Sequence, residues 1–206
     1  IPNKVPYLEA NSALPSKIPS ELKEKFNAEI SCKLVEISGS ETSKKMQKVS
    51  DNDKFKIGVL WAGNPDYPED KNRSMTFDKF KLLTDKLKSF SEVSLFSLQK
   101  GNASNQLNDP EIIDLSNYID DFADTAVIIK NLDLVISTDT SVVHLAGALG
   151  KPVWILLSFI PDWRWMLNIN NSPWYPSMKL FRQPKKGDWN SLFEEINIEL
   201  RNLLRE

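Results

Sequence analysis

The chain has 206 residues, 41% of them hydrophobic and 26% charged, which supports one globular core with an appendage and little more. Its formal charge of −2, with acids and bases interspersed, supplies no broad electropositive face and argues against nucleic acid as a partner. A lone cysteine, Cys32, and a lone histidine, His144, exclude an internal disulfide and a zinc site of ordinary ligand spacing, so no metal is expected and a reducing cytoplasm is the expected setting.

Residues 1–54 are punctuated by proline, carry one short helix pattern at Ser20 to Ile30, and include the polar stretch Gly39 to Lys54, which has no apolar period. They are expected to form an N-terminal arm and linker. From Lys56 the texture changes to short β-branched apolar runs alternating with amphipathic patterns, the pattern of βα units around a parallel sheet. Residues 55–206 are therefore read as one Rossmann-like α/β domain. The expected strands are Lys56 to Trp61, Val93 to Leu98, a short one near Ile112 to Leu115, Asp133 to Ser137, Pro152 to Leu157 and Met178 to Phe181. The expected helices are Thr76 to Ser89, with Thr76 as cap and Asp78 in the first turn, Phe122 to Asn131, Thr140 to Leu149 and Trp189 to Leu204. The longest mainly apolar run, Val153 to Ile160, is far short of the roughly 20 residues that cross a bilayer. No membrane span is expected, while peripheral membrane contact stays open. Because the sequence opens at Ile1 rather than methionine, a partner region is expected upstream.

In an open parallel sheet, ligands bind beyond the carboxyl ends of the strands, so those ends carry the functional information. After the first strand comes Ala62-Gly63-Asn64-Pro65, where Gly63 allows close backbone approach and Asn64 supplies an amide. After the second comes Gln99-Lys100-Gly101. After the fourth, Thr138-Asp139-Thr140-Ser141 leads straight into a helix whose first N–H groups and two hydroxyls could receive a phosphate. Asp120, Asp121 and Asp124 precede or open another helix and could meet a ribose or base. A phosphatase-type aspartyl nucleophile is excluded because Ser137 stands where the first Asp of Asp-x-Asp would be. A dinucleotide oxidoreductase is disfavoured because Gly63-Asn64-Pro65 lacks the further glycines of that turn.

The segment DLVISTDTSVVHLAGALGKPVW, Asp133 to Trp154, resembles the donor-site segment of the heptosyltransferase-like glycosyltransferases of family 9. KIGVLWAGNP (Lys56 to Pro65), NRSM (Asn72 to Met75), SLQKG (Ser97 to Gly101) and DDFADTA (Asp120 to Ala126) are similar to bacterial tetratricopeptide-repeat proteins that bear this domain. PDWRWML (Pro161 to Leu167) and SPWYPSMKLFRQP (Ser172 to Pro184) extend the likeness, which covers about residues 56–204. A more distant likeness is to the protein O-GlcNAc transferases. The resemblance implies the C-terminal half of a GT-B fold that binds a sugar nucleotide as donor substrate, without metal or other cofactor. The N-terminal VPYL, Val5 to Leu8, looks like the junction leaving a first half that is missing here. The acceptor would be a glycan, a lipid or a protein.

Each candidate also has a plainer reading. Asp139, Thr140 and Ser141 bind a diphosphate, with Asp139 as orienter, or form a simple N-cap. Lys100 neutralises charge on the leaving nucleoside diphosphate, or is a solvated lysine. His144 lies on the same helical face as Thr140 and Ser141 and donates to the phosphate, or is a satisfied core residue. Arg73, with Asn64, reaches the nucleotide, or pairs with Asp70 or Asp78. Gln99, Phe122 and Arg164 complete the binding candidates. Trp163, Trp165, Trp174 and Tyr175 stack on a ligand or pack over the sheet edge, with at least two of these rings expected in the core. No general base is expected in this chain, because the acceptor hydroxyl is met by the other half in this architecture. The alternative to a transferase half is a non-catalytic nucleotide-binding or interaction module built on the same fold.

Overall fold

The computed structural model describes residues 6, 8–10, 13–27 and 54–205. Six strands form: β1 Phe55–Leu60, β2 Val93–Ser97, β3 Ile112–Asp114, β4 Leu134–Thr138, β5 Val153–Leu157 and β6 Met178–Arg182. Six α-helices accompany them: α1 Ser20–Asn27, α2 Asp70–Arg73, α3 Phe77–Lys88, α4 Phe122–Lys130, α5 Ser141–Ala148 and α6 Trp189–Arg205. Each strand from the sequence reading sits within a residue or two of its expected bounds. The single-turn α2 was not foreseen. Of the first helix pattern, residues 28–30 lie outside the described residues, as do Cys32, Val5, Tyr7 and positions 39–53 of the linker.

The strands pair in the order β3-β2-β1-β4-β5-β6, every pairing parallel. This is the doubly wound order, in which successive crossovers run outward from β1 and then, after β3, outward from β4 on the other side. A parallel sheet must be covered on both faces, and the period-two alternation of each strand divides its side chains between two cores. Ile57 and Val59 of β1, Leu134 and Ile136 of β4, Trp154 and Leu156 of β5 and Phe181 of β6 join one core. That face is closed by Phe77, Phe80, Leu83 and Leu87 of α3, and by Trp189, Leu192, Phe193, Ile196 and Leu200 of α6. Phe80 meets Phe193 edge-on at 6.4 Å between ring centroids. Burial of each such side chain contributes about 1.5–3 kcal/mol.

The opposite core takes Leu60, Phe96, Val135, Ile155, Leu157 and Leu180 from the strands, with Ile128, Ile129, Val143 and Ala146 from α4 and α5. The arm supplies part of this core. Ile18 is 1% exposed within it, and Leu14 and Leu22 pack alongside. Lys17 reaches Asp120 and Asp124, and the Lys130 ammonium donates to the Ala10 carbonyl at 2.7 Å. The described part of the arm is thus a packed strap on the α4 face.

Thr76 stands at the N-cap of α3 as expected, but its hydroxyl makes no capping bond; the Phe77 N–H donates instead to Gln106 Oε1 at 2.9 Å. Among the described residues no helix is long and apolar enough to cross a membrane.

Gly147, inside α5, is where the helix admits the Tyr175 ring. A Cβ there would stand 2.5 Å from Tyr175 Cγ and 2.7 Å from Cδ1. Alanine gains about 1 kcal/mol of helix propensity over glycine, but overpacking of a fitted site costs about 1–3 kcal/mol, and a rigid ring cannot yield as a flexible chain end can. We predict that Gly147→Ala destabilises the protein by up to about 2 kcal/mol, measured by urea unfolding; a gain in stability would contradict the close approach.

Candidate functional site

The order reversal between β1 and β4 creates a crevice at the carboxyl edge of the sheet. The chain leaves β1 toward α3 on one face and leaves β4 toward α5 on the other, so the two loops part and expose backbone between them.

The β1 loop is held by side chains. The Gln99 amide, 3% exposed, accepts from Trp61 N at 3.2 Å and Ala62 N at 3.0 Å, and donates to the Ala62 and Lys100 carbonyls at 3.0 and 3.1 Å. It therefore acts as a clasp on the loop and has its polar atoms engaged there. The Gly63 N–H donates to Ser74 Oγ at 2.8 Å, and Ser74 donates to Asp70 Oδ1 at 2.7 Å. Arg73 donates from Nε to the same carboxylate oxygen at 3.0 Å and from Nη1 to the Asp139 carbonyl at 2.7 Å. Its guanidinium also lies 4.5 Å from the Tyr67 ring centroid. Arg73 is thereby the bridge between the loop after β1 and the loop after β4, a role that combines the expected pairing with Asp70 and a contact to the expected phosphate loop. Gly63 is required beneath it: a Cβ would stand 2.6 Å from Arg73 Nη2 and 2.9 Å from Asp70 Oδ1. Asn64, exposed, accepts from Asp66 N at 3.1 Å through Oδ1.

On the β4 side, Asp139 and Thr140 are 8% and 7% exposed. The Thr140 hydroxyl turns inward to Ser137 Oγ at 3.2 Å, and no side chain caps α5. Of the two hydroxyls expected to receive a phosphate, that of Thr140 is thus engaged with the strand end. Ser141 is exposed at the first turn, whereas Thr140 occupies the cap position with its hydroxyl on Ser137 at the strand end. The Thr138 hydroxyl is buried without a partner among the described residues.

One turn deeper, His144 Nδ1 meets the Tyr175 hydroxyl at 3.1 Å, and the imidazole stacks on Trp165 at 5.3 Å between centroids. Burial lowers its pKa below the usual histidine range; Asp139 and Asp162 pull upward and Arg164 pushes downward, and the net shift stays low. His144, Asp139 and Arg164 thus share one electrostatic neighbourhood. Arg164 pairs with Asp162 at 3.2 Å, and its Nε is buried without a partner. Of the aromatic stretch, only Trp165 is fully buried, while Trp163 is 74% exposed and Trp174 and Tyr175 are half-buried. Tyr175 is the second ring at the core, packed half-buried against it with its hydroxyl on His144, while half-buried Trp174 donates from Nε1 to the Arg164 carbonyl.

Two candidates stand apart from this group. Lys100, exposed at the end of β2, donates to the Ser116 carbonyl at 2.7 Å, and Phe122, 58% exposed, opens α4. The acidic residues around Phe122 have local partners: Asp121 caps α4 through Ala123 N and Asp124 N, and Asp120 and Asp124 hold Lys17. The sequence reading overlooked Tyr67 and Ser74. An i,i+4 relation between Asp70 and Ser74 was the available signal for Ser74; nothing in the spacing marks Tyr67. Among the described residues no three His, Cys, Asp or Glu side chains converge as a metal site.

No family model matches the chain. Protein FlbA of Caulobacter vibrioides is 28% identical over 158 residues, which cover 71% of this chain and 25% of that protein. Among solved structures, the E. coli ADP-heptose lps heptosyltransferase II superposes with a TM-score of 0.52 at 17% identity, over 78% of this chain and 53% of its own. E. coli heptosyltransferase WaaC with ADP gives 0.48 at 14% identity, over 71% and 45%. The chain spans a quarter of the curated relative and about half of the heptosyltransferases. The fold is the Rossmann-like α/β fold shared with heptosyltransferase II.

The histidine supplies a pH test. An unfolded imidazole takes its proton near 6.5 and the folded one takes it lower, so between those values the unfolded chain binds more protons. The His144 contribution is present in full above about pH 6.5 and declines as pH falls toward the folded value. His144 is the only histidine, so a single imidazole NMR resonance reads it. We predict a titration midpoint below 6.5, and a His144→Gln variant whose stability changes less between pH 7.5 and roughly pH 5.5 than that of the parent. A midpoint at or above the ordinary value would contradict the buried, neutral ring.

Proposed function

We propose that this chain is the donor-binding half of a metal-independent GT-B glycosyltransferase, seating the diphosphate of a sugar nucleotide in the crevice between the β1 loop and the first turn of α5. The observation that carries the reading is the Arg73 bridge to the Asp139 carbonyl, which ties the two walls of the crevice together where the strand order reverses. The likeness of Asp133 to Trp154 to the family 9 donor segment, and the ADP-heptose named for heptosyltransferase II, agree with it.

In this reading the first turn of α5, uncapped by any side chain, offers its N–H groups and the positive end of its dipole to a phosphate, with the exposed Ser141 hydroxyl beside them. Gly63 lets Arg73 and Asp70 close against the loop backbone beneath the crevice, and Asn64 at the exposed rim supplies an amide donor. In the tautomer whose Nδ1 accepts from Tyr175, the His144 Nε2–H is a neutral donor toward the same pocket. The buried Asp139 carboxylate orients this group without touching the phosphate, which would repel it. Lys100 reaches the leaving diphosphate by releasing the Ser116 carbonyl and supplies the charge that a metal supplies elsewhere. The general base belongs to a second half, so the chain binds donor without transferring by itself. The acceptor is a glycan, lipid or protein, and the setting is the cytoplasm.

Thermal unfolding with ADP, UDP, GDP and their sugar conjugates tests this. At least one should raise the melting temperature by about 5–10 °C at a hundredfold excess over its Kd, equally in the presence of EDTA. Arg73→Lys, which keeps the charge and loses the fork, should weaken that ligand about tenfold, and Ser141→Ala should weaken it by less. If no nucleotide stabilises the protein, the donor-site reading fails.

A further inference from the structure

A second cleft, of about 520 Å³, lies next to the crevice. It is bounded by the residues around α2, by the start of α3, by the loop after β5 and by the loop from β6 to α6. The short helix α2 separates the two sites: Arg73 faces Asp139 across the switch point, while Lys71 and Asn72 line the cleft.

Two features distinguish this cleft from an ordinary surface groove. Lys71, Lys79 and Lys186 all line it, and the ammonium of none of them makes an ion pair or hydrogen bond among the described residues. Lysines elsewhere in the domain, such as Lys81, Lys86, Lys88 and Lys179, are paired with carboxylates. Glu69, the lone acid on the lining, accepts from the Asn72 amide and leaves the positive charge in excess. The other wall is apolar. Phe159 and Ile160 are 44% and 75% exposed at the rim, above the buried Met75 and Trp189. The Thr76 hydroxyl, which does not cap α3, is an open hydrogen-bonding group on the lining.

Three like charges around one cavity repel one another, and an anion in the cavity turns that repulsion into attraction. The cleft has the size of a small-ligand site, roughly 300–1,000 Å³, and its apolar wall suits the C–H face of a ring. We propose that this cleft binds an anionic pyranose, a sugar bearing a phosphate or a carboxylate, with the anionic group among Lys71, Lys79 and Lys186 and the ring against Phe159 and Ile160. The site stands beside the nucleotide crevice and its occupancy does not depend on that reading.

The test is an amide NMR titration of the isotope-labelled 206-residue chain with glucose 1-phosphate, glucuronate, glucose and inorganic phosphate. The expected result is saturable shifts at Thr76, Ser158, Phe159 and Gly187 with glucose 1-phosphate or glucuronate; the tighter of the two identifies the anionic group. Neutral glucose should bind at least about fivefold more weakly, inorganic phosphate more weakly than the better sugar anion, and the K71Q/K79Q/K186Q variant should lose about tenfold in affinity. These exposed positions leave the amide spectrum otherwise unchanged, which verifies folding in the same experiment. The proposal is overturned if glucose matches the anions, if the triple variant binds as well as the parent, or if shifts are confined to Gly63, Asp139 and Ser141. Inorganic phosphate binding as tightly as the sugar anions overturns the pyranose assignment. An ADP titration of the same variant reads the crevice separately, through Gly63 and Asp139, so failure at one site is distinguishable from failure at the other.

Discussion

A parallel sheet cannot leave either face in water, and the reversal of strand order between β1 and β4 is the consequence on which the rest of this molecule depends. Once α3 has gone to one face and α5 to the other, the loops feeding them have no reason to meet. Something has to hold the gap at a fixed width. Two side chains do so: Gln99 clasps the β1 loop from the neighbouring strand, and Arg73 spans to the Asp139 carbonyl. Both are partly or wholly buried; Gln99 spends its amide on backbone, and Arg73 bonds the Asp139 carbonyl while the Asp70 carboxylate holds its Nε, which fixes loop position far better than solvated contacts would. The crevice is rigid at its root and open at its rim, where Asn64 and Ser141 are exposed.

The architecture was legible because each strand is a short run of β-branched and aromatic residues bounded by polar ones, and because the apolar spacing of Phe77, Phe80, Leu83 and Leu87 admits only a helix. Strand ends marked the loops that flank the crevice for the same reason. Directions of individual side chains were not legible. Whether Thr140 faces a ligand or Ser137 is decided by a rotamer, and the sequence contains both partners. Gln99 reads as a free amide in sequence because the backbone groups that consume it, at Trp61 and Ala62, are far away along the chain. Tyr175 and His144 meet across a similar separation, and the fit of the Tyr175 ring at Gly147 shows only in the fold. The lysine-lined cleft was invisible for a further reason: its residues come from three separate stretches, none with a motif of its own.

The arm is where the linear reading and the folded object differ most in meaning. Composition places a boundary before β1, and the proline-punctuated residues ahead of it look dispensable. Yet Ile18 sits wholly inside the core beneath α4 and α5, with Leu14 and Leu22 beside it and Lys17 fastened to Asp120 and Asp124. The cooperative unit is therefore discontinuous along the chain, and the stretch that joins its two parts can vary in length and character while the plug stays in place. Someone excising the sheet domain at residue 54 would leave a socket of bare aliphatic surface and two uncompensated carboxylates on the same helix end. Such a fragment would be sticky as well as weaker, and its behaviour would say little about the crevice.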